Sequence, residues 1–191
     1  MSPIEVLGFI TGAACVWLAV RESVWTWPLA VANAVVFFVL FWKSQLYGGV
    51  GLQVVFFGIA VLGWYRWLRG GEQHTGVRIS RITWQTAAVA VLFGIPATIG
   101  IAAYIRTIDG FAPFQDALTT ALSLIGQYLL TKKILENWYV WIVADVLYIA
   151  LYLQRGLYLT SVLYVIFLAM CIAGVVEWRR SLAHLQAETT G

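Results

Sequence analysis

The run NWYVWIVADVLYIALY, residues 137–152, decides the fold. Trp138, Trp141, Asp145, Tyr148 and Tyr152 recur at +3, +4, +3 and +4, which puts all five on one face of a helix. The remaining positions are almost all aliphatic. A carboxylate in such a run is costly in lipid unless it faces a protein or water-filled interior. The stretch therefore predicts a membrane-spanning helix with an inward face. Aromatic faces beside a carboxylate suit a flat, polar or cationic solute.

Composition points the same way. The chain of 191 residues is 61% hydrophobic and 11% charged, with a mean hydropathy of +0.83. Soluble domains carry about 25% charged residues, so a soluble class is excluded. The length holds one helical membrane domain and little else. Cys15 and Cys171 stand alone in apolar runs and are expected to be buried small hydrophobes, neither a disulfide nor a metal pair. The opening lacks a basic region and a small-residue cleavage site, so its first apolar run is expected to stay as a helix.

Gaps between charges give the spans. Residues 6–20, 23–42, 44–65, 82–105, 117–131, 146–154 and 156–176 are uncharged. A span needs about 20 residues, which predicts seven helices near 4–20, 25–42, 46–67, 84–105, 112–131, 138–154 and 157–177. The alternating pattern of a membrane β-barrel is absent. With seven spans, Arg21, Arg66, Arg69, Arg78, Arg81, Lys132, Lys133, Arg179 and Arg180 share one side, and Lys43, Arg106 and Arg155 the other. Nine against three predicts an outside N-terminus and a cytoplasmic C-terminus.

The chain also repeats itself. A shift of 111 positions sets Trp27 on Trp138, Leu40 on Leu151, Leu46-Tyr47 on Leu157-Tyr158, Phe56 on Phe167, Trp67 on Trp178 and Arg69 on Arg180. The expected architecture is all-α and membrane-integral, a 3+1+3 arrangement within a single transporter domain, residues 1–181. Repeat one is 3–69, a linker helix 84–105, and repeat two 112–180; residues 182–191 are a short cytoplasmic tail. The linker adds one crossing, so the repeats run parallel. Alternating-access transporters use such repeats, with substrate between them.

Polar groups at membrane depth are the candidate binding residues. Helix 2 offers Asn33; helix 3 offers Gln53, Phe57 and Trp64 on one face; helix 5 offers Gln127 with Thr120 and Ser123; helix 6 offers Asn137, Trp138, Trp141, Asp145 and Tyr148. Each has a plainer reading. Asp145 could hydrogen-bond another helix through Gln127, Asn33 or a tyrosine, and Asn33 and Gln53 could be ordinary interhelical glue. Trp25, Trp27, Trp42, Trp67, Trp84 and Trp178 fall at span ends and read as interface-belt anchors. Trp138 and Trp141 fit either role. His74 and His184 have no metal-ligand company and are expected to be solvated, and Glu188 to lie in a frayed end. A phosphate-binding G-x-x-x-x-G-K-[ST] loop, H-E-x-x-H, G-x-S-x-G and Cys/His clusters are all missing, as is a TVGYG-like filter. No enzyme activity, metal, cofactor or nucleic-acid partner is expected.

The runs Leu46-Tyr47-Gly48, Gly51-Leu52-Gln53 and Gly63-Trp64-Tyr65-Arg66-Trp67 stand in helix 3, and Glu136-Asn137-Trp138-x-x-Trp141-x-x-x-Asp145 and Gly156-Leu157-Tyr158-Leu159-Thr160 in helices 6 and 7. Together they resemble the PnuC-like vitamin transporter family. The resemblance spans about residues 3–181. It implies a nicotinamide riboside carrier of a bacterial inner membrane, working by facilitated diffusion as a homotrimer with one path per protomer. A cytoplasmic kinase would trap the vitamin by phosphorylation. The family also implies thiamine and riboflavin carriers as alternatives. In this reading Trp138 or Trp141 stacks the ring, while Asn33, Gln53, Gln127 and Asn137 pair with carboxamide and sugar. Asp145 bonds the ribose or supports an aromatic partner. Membrane lipid is the surrounding partner. The competing class is an integral-membrane enzyme or structural protein, which would need a nucleophile–base pair or metal ligands; Ser123 has no nearby histidine.

Overall fold

The structure, a computed structural model, describes residues 3–43, 47–71, 76–107, 113–154 and 156–190. Leu46, His74, Phe111, Arg155 and Gly191 lie outside the described residues. Seven helices follow one another: α1 (Pro3–Val20), α2 (Thr26–Lys43), α3 (Tyr47–Arg69), α4 (Trp84–Thr107), α5 (Pro113–Thr131), α6 (Asn137–Gln154) and α7 (Tyr158–Thr190). Every end but one falls within two residues of the charge-gap expectation. The exception is α7, expected to stop near 177, which runs 33 residues to Thr190. Hydropathy falls after Trp178, but Leu182, Ala183, Leu185 and Ala187 are good helix formers and no Gly or Pro intervenes before Gly191. Loss of hydropathy marks a membrane exit, not a helix stop. The tail, Glu188 included, is helical and not frayed.

Val50–Arg69 in α3, all of α4, and Tyr158–Ala187 in α7 are long and apolar enough to cross a membrane; Val6–Val20 and Thr26–Leu40 are apolar but shorter. At 18 residues α6 is about 27 Å long, close to the bilayer core. Its aromatic and acidic side chains lower its hydropathy. Trp138, Ala144, Asp145 and Leu151 are buried, so neighbouring helices screen much of that helix.

The chain divides into two compact units. Met1–Ile79 with Leu130–Lys133 form the first, and Ser80–Leu129 with Ile134–Gly191 the second. In the first, α2 packs between α1 and α3. A Cβ built on Gly63 of α3 would come within 2.4 Å of the Trp27 ring, so the absent side chain lets the indole lie on the α3 backbone. Trp27 meets Trp67 edge to face, centroids 5.4 Å apart at 82°. The end of α5 joins this unit: Trp67 Nε1 donates to the Leu130 carbonyl at 3.1 Å and Arg66 to Thr131 Oγ1 at 2.8 Å. Lys133 Nζ sits 4.5 Å over the Trp67 ring and 3.4 Å from Glu22 Oε2.

The second unit has the same device. A Cβ on Gly174 of α7 would come within 2.5 Å of the Trp138 ring, and Trp138 meets Trp178 at 5.4 Å and 86°. Gly63 and Gly174, Trp27 and Trp138, and Trp67 and Trp178 are each 111 positions apart. So are Glu22 and Lys133, the two described non-glycine residues with left-handed backbone, at φ 53° and 51°. Each closes a helix with the same pair of hydrogen bonds. Glu22 N–H donates to Ala19 and Ser23 N–H to Leu18; Lys133 N–H donates to Leu130 and Ile134 N–H to Leu129. In the second unit the segment leading into α6 is held by Leu135 N–H on the Ser80 carbonyl, and by Ile82 N–H on the Glu136 carboxylate at 2.8 Å.

The belt expectation is corrected for three tryptophans. Trp27, Trp67 and Trp178 are buried in ring–ring packing, while Trp25, Trp42 and Trp84 are exposed as belt residues would be. Position at a span end does not distinguish the two fates; a glycine opposite Trp27 does.

Gly174→Val should drive a side chain into a buried indole and cost about 1–3 kcal/mol of overpacking. Gly51→Ala, with open space around it, should leave stability unchanged or raise it by about 0.5–1 kcal/mol. Thermal unfolding of both variants in detergent checks the contrast.

Candidate functional site

The stripe on α6 lies between α5 and α7 within the second unit. Gly126 of α5 makes room for Trp141, since a Cβ there would meet the indole nitrogen at 2.9 Å. One turn on, Asp145 is 3% exposed and accepts a hydrogen bond from Cys171 Sγ of α7 at 3.4 Å. The carboxylate thus faces the protein interior. On insertion scales an acid at a helix centre costs about 2.5–3.5 kcal/mol in lipid, and enclosure by α7 is how this chain avoids that contact. The expected partners Gln127, Asn33 or a tyrosine are replaced by a thiol that the sequence reading took only as a small hydrophobe.

Beyond Asp145 the rings gather. Tyr148 and Tyr152 stack at 5.8 Å and 13°, and Tyr164 of α7 lies 4.8 Å from the first and 5.1 Å from the second. Phe167 closes the group edge-on to Tyr164 at 5.5 Å. Ser123 Oγ donates to the Thr119 carbonyl at 2.8 Å. Having used its one hydrogen, it accepts from the Tyr148 hydroxyl at 3.3 Å. Gln115 Nε2 donates to the Leu147 carbonyl at 3.1 Å. The result is an aromatic cluster with a carboxylate at one end and phenolic hydroxyls along it. Offset and tilted rings of this kind bind flat π-systems and cations by their faces.

The structure places the remaining candidates as follows. Asn33 Nδ2 donates to the Gly8 carbonyl at 2.8 Å and to Thr11 Oγ1 at 2.7 Å, so its amide joins α2 to α1 as glue. Asn137 is fully buried at the start of α6, its Nδ2 donating to the Ile134 carbonyl at 2.7 Å and its Oδ1 unpartnered. It lies about 12 Å along the helix from Asp145. Gln53 and Gln127 are half-buried, and their amides make no hydrogen bond among the described residues. Phe57 and Trp64 are 42% and 38% exposed on α3. Trp138 is 2% exposed, its ring between Gly174 and Trp178 and its indole N–H buried without a partner. The α6 stripe is therefore gathered with α5 and α7, whereas Asn33, Asn137 and Trp138 are engaged in packing. Tyr164, Phe167 and Cys171 were not foreseen as site residues. Their +3, +4 spacing on α7 was the available signal, obscured because α7 is apolar on every face.

Comparison with known proteins gives the family and the fold. Residues 2–180 match the family described as nicotinamide mononucleotide transporter. The nicotinamide riboside transporter PnuC of Escherichia coli (strain K12) is 27% identical over 95% of this chain and 87% of its own length. The riboflavin/roseoflavin transporter RibM of Streptomyces davaonensis is 26% identical over 91% of this chain and 83% of its own. A crystal structure of the vitamin B3 transporter PnuC superposes with a TM-score of 0.71 at 21% identity, covering 95% of this chain and 82% of that one.

Trp138→Ala empties a closed ring site and should destabilise the protein by about 3–5 kcal/mol. Trp141→Ala, on a half-buried ring, should cost distinctly less. Thermal melts of the two variants in the same detergent distinguish them.

Proposed function

Because the chain belongs to the nicotinamide mononucleotide transporter family, a family of membrane transporters and not of enzymes, we propose that it carries nicotinamide riboside by facilitated diffusion. The cluster of Tyr148, Tyr152, Tyr164 and Phe167 beside Asp145 supports this reading, because it brings aromatic faces, phenolic hydroxyls and an acid together in one unit. Trp141 of α6, half-buried against Gly126 of α5, stacks the pyridine ring, and the amide of Gln127 serves the carboxamide or ribose. In the first unit, α3 offers a solute its own aromatic and amide groups, Phe57, Trp64 and Gln53. Net uptake follows from phosphorylation in the cytoplasm, because an anionic nucleotide no longer suits an aromatic, acid-lined site. The protein sits in a bacterial inner membrane as a homotrimer of 3+1+3 protomers, the two three-helix repeats being parallel. The shared turns at Glu22 and Lys133 and the shared Gly–Trp contacts support that duplication. Riboflavin is the second reading, favoured by the relative RibM.

Titration of the purified protein with nicotinamide riboside, thiamine and riboflavin should give saturable binding that is tightest for nicotinamide riboside. Tighter binding of either other vitamin overturns the assignment. Trp141→Ala should lose about 1–3 kcal/mol of affinity, as stacked bases do when an aromatic platform is removed, while remaining folded. A reporter fused after Gly191 should be active in the cytoplasm, as the nine-to-three charge asymmetry requires; activity confined to the periplasm reverses the topology.

A further inference from the structure

We propose that the ion pair between Glu22 and Lys133 is a clasp across the cytoplasmic mouth of the transport path, closed in this structure and broken each time the carrier opens to that side. The proposal rests on the reading of the chain as a carrier with two parallel repeats, and adds to it the contact that gates one end. Glu22 and Lys133 are 111 positions apart, so each is the other's counterpart in the repeat. Both have left-handed backbone, at φ 53° and 51°, and both turn the chain with the same pair of hydrogen bonds, one after α1 and the other after α5. A residue can touch its own counterpart only close to the axis that relates the repeats. With that axis along the membrane normal, the solute's site lies at the interface between the repeats. A contact on the axis at the membrane edge therefore stands over the path. An exact repeat would set like charges against each other there; this chain has an acid and a base, Nζ 3.4 Å from Oε2.

The contact is positioned, yet able to part. It lies within the first unit, which takes in residues 130–133. There the Lys133 ammonium also sits 4.5 Å over the Trp67 ring, and Trp67 Nε1 holds the Leu130 carbonyl three residues earlier. The lysine is thus aimed at Glu22 by the ring beneath it and by the anchored end of α5. The side chains of Lys133 and Glu22 are 14% and 28% exposed. Water reaches both charges and can solvate them when they separate, whereas a fully buried pair would leave bare charges on opening. Partly wetted ion pairs are weak enough to break and re-form. Arg21, Arg66, Arg69 and Lys132 fall on the same side by the nine-to-three count, which makes this the cytoplasmic end.

The test follows exchange of preloaded vitamin by proteoliposomes, with nicotinamide riboside, thiamine and riboflavin offered in turn, and scores the clasp on whichever is exchanged. In Glu22→Cys/Lys133→Cys, a short bifunctional thiol reagent should lower exchange at least tenfold, while equilibrium binding of the same cargo to the linked protein stays within threefold. The two single-cysteine variants given the same reagent should keep exchanging. Linked protein that exchanges within threefold of the unlinked, or that loses binding as well, overturns the clasp. Glu22→Gln gives a second reading that needs no link. Because breaking the pair is part of opening, its exchange should rise at least threefold at unchanged affinity. An unchanged or lower rate overturns the inference even where the cysteine pair fails to fold. Exchange of thiamine or riboflavin in place of nicotinamide riboside overturns the choice of substrate alone, and the clasp is then scored on that cargo. A parent that exchanges none of the three overturns the carrier reading and the clasp together.

Discussion

An indole laid flat on a glycine is the contact on which each unit depends. Lipid tails are as apolar as leucine, so burying apolar surface does little to bring membrane helices together; close packing must do it. Gly63 and Gly174 allow Trp27 and Trp138 to reach the backbone of α3 and α7, where a methyl group would already collide. Trp67 and Trp178 then meet those rings edge-on. Large rings gain many weak dispersion contacts at once, and the glycines remove the obstacle to making them. Because the arrangement occurs twice at the same 111-residue interval, one packing solution serves both units.

Polar groups at depth are arranged around this frame. Asn33 donates to α1, Asn137 to the turn before its own helix, and Ser123 and Thr98 to carbonyls four residues earlier. Each such bond uses a donor locally and leaves little for a solute. Asp145 differs in kind: an acceptor whose described donor is a thiol, set against aromatic rings. A membrane protein gains no stability from such a group compared with an aliphatic one, which is the physical ground for giving it a role in recognition.

Much of the fold was legible in the sequence because charge and hydropathy fix where a helix can lie in lipid. Arg21, Lys43, Arg69, Arg106 and Lys132 lie within a residue or two of the helix ends they announce. The α7 extension was hidden because hydropathy reports solvent and not backbone conformation. The fates of the span-end tryptophans were hidden for a different reason. Trp25 lies in the turn just before α2 and Trp27 in its first turn, and the first is exposed while the second is buried. Only knowledge of which face meets α3 separates them. The α6 stripe was legible because polar residues stand out against an aliphatic background. Tyr164 and Phe167 were not, since the membrane-spanning part of α7 is apolar on most faces and the few polar side chains on its inward face, Ser161 and Cys171 among them, do not set that face apart.

The contrast between α6 and α7 also says how a site can be built in a chain this small. Concentrating Trp141, Asp145, Tyr148 and Tyr152 on α6 makes that helix a poor membrane span by composition. It is tolerated because α7, 33 residues long and apolar in its first two-thirds, packs along it and covers the stripe. The polar and aromatic stripe is thus kept on a helix that neighbours screen, while α4 presents an apolar surface with Leu92, Phe93 and Ile99 exposed. Relatives with different cargo can share all of this scaffolding. The face of α6 that α7 covers is where side chains can vary without disturbing the Gly–Trp contacts that hold the helices together.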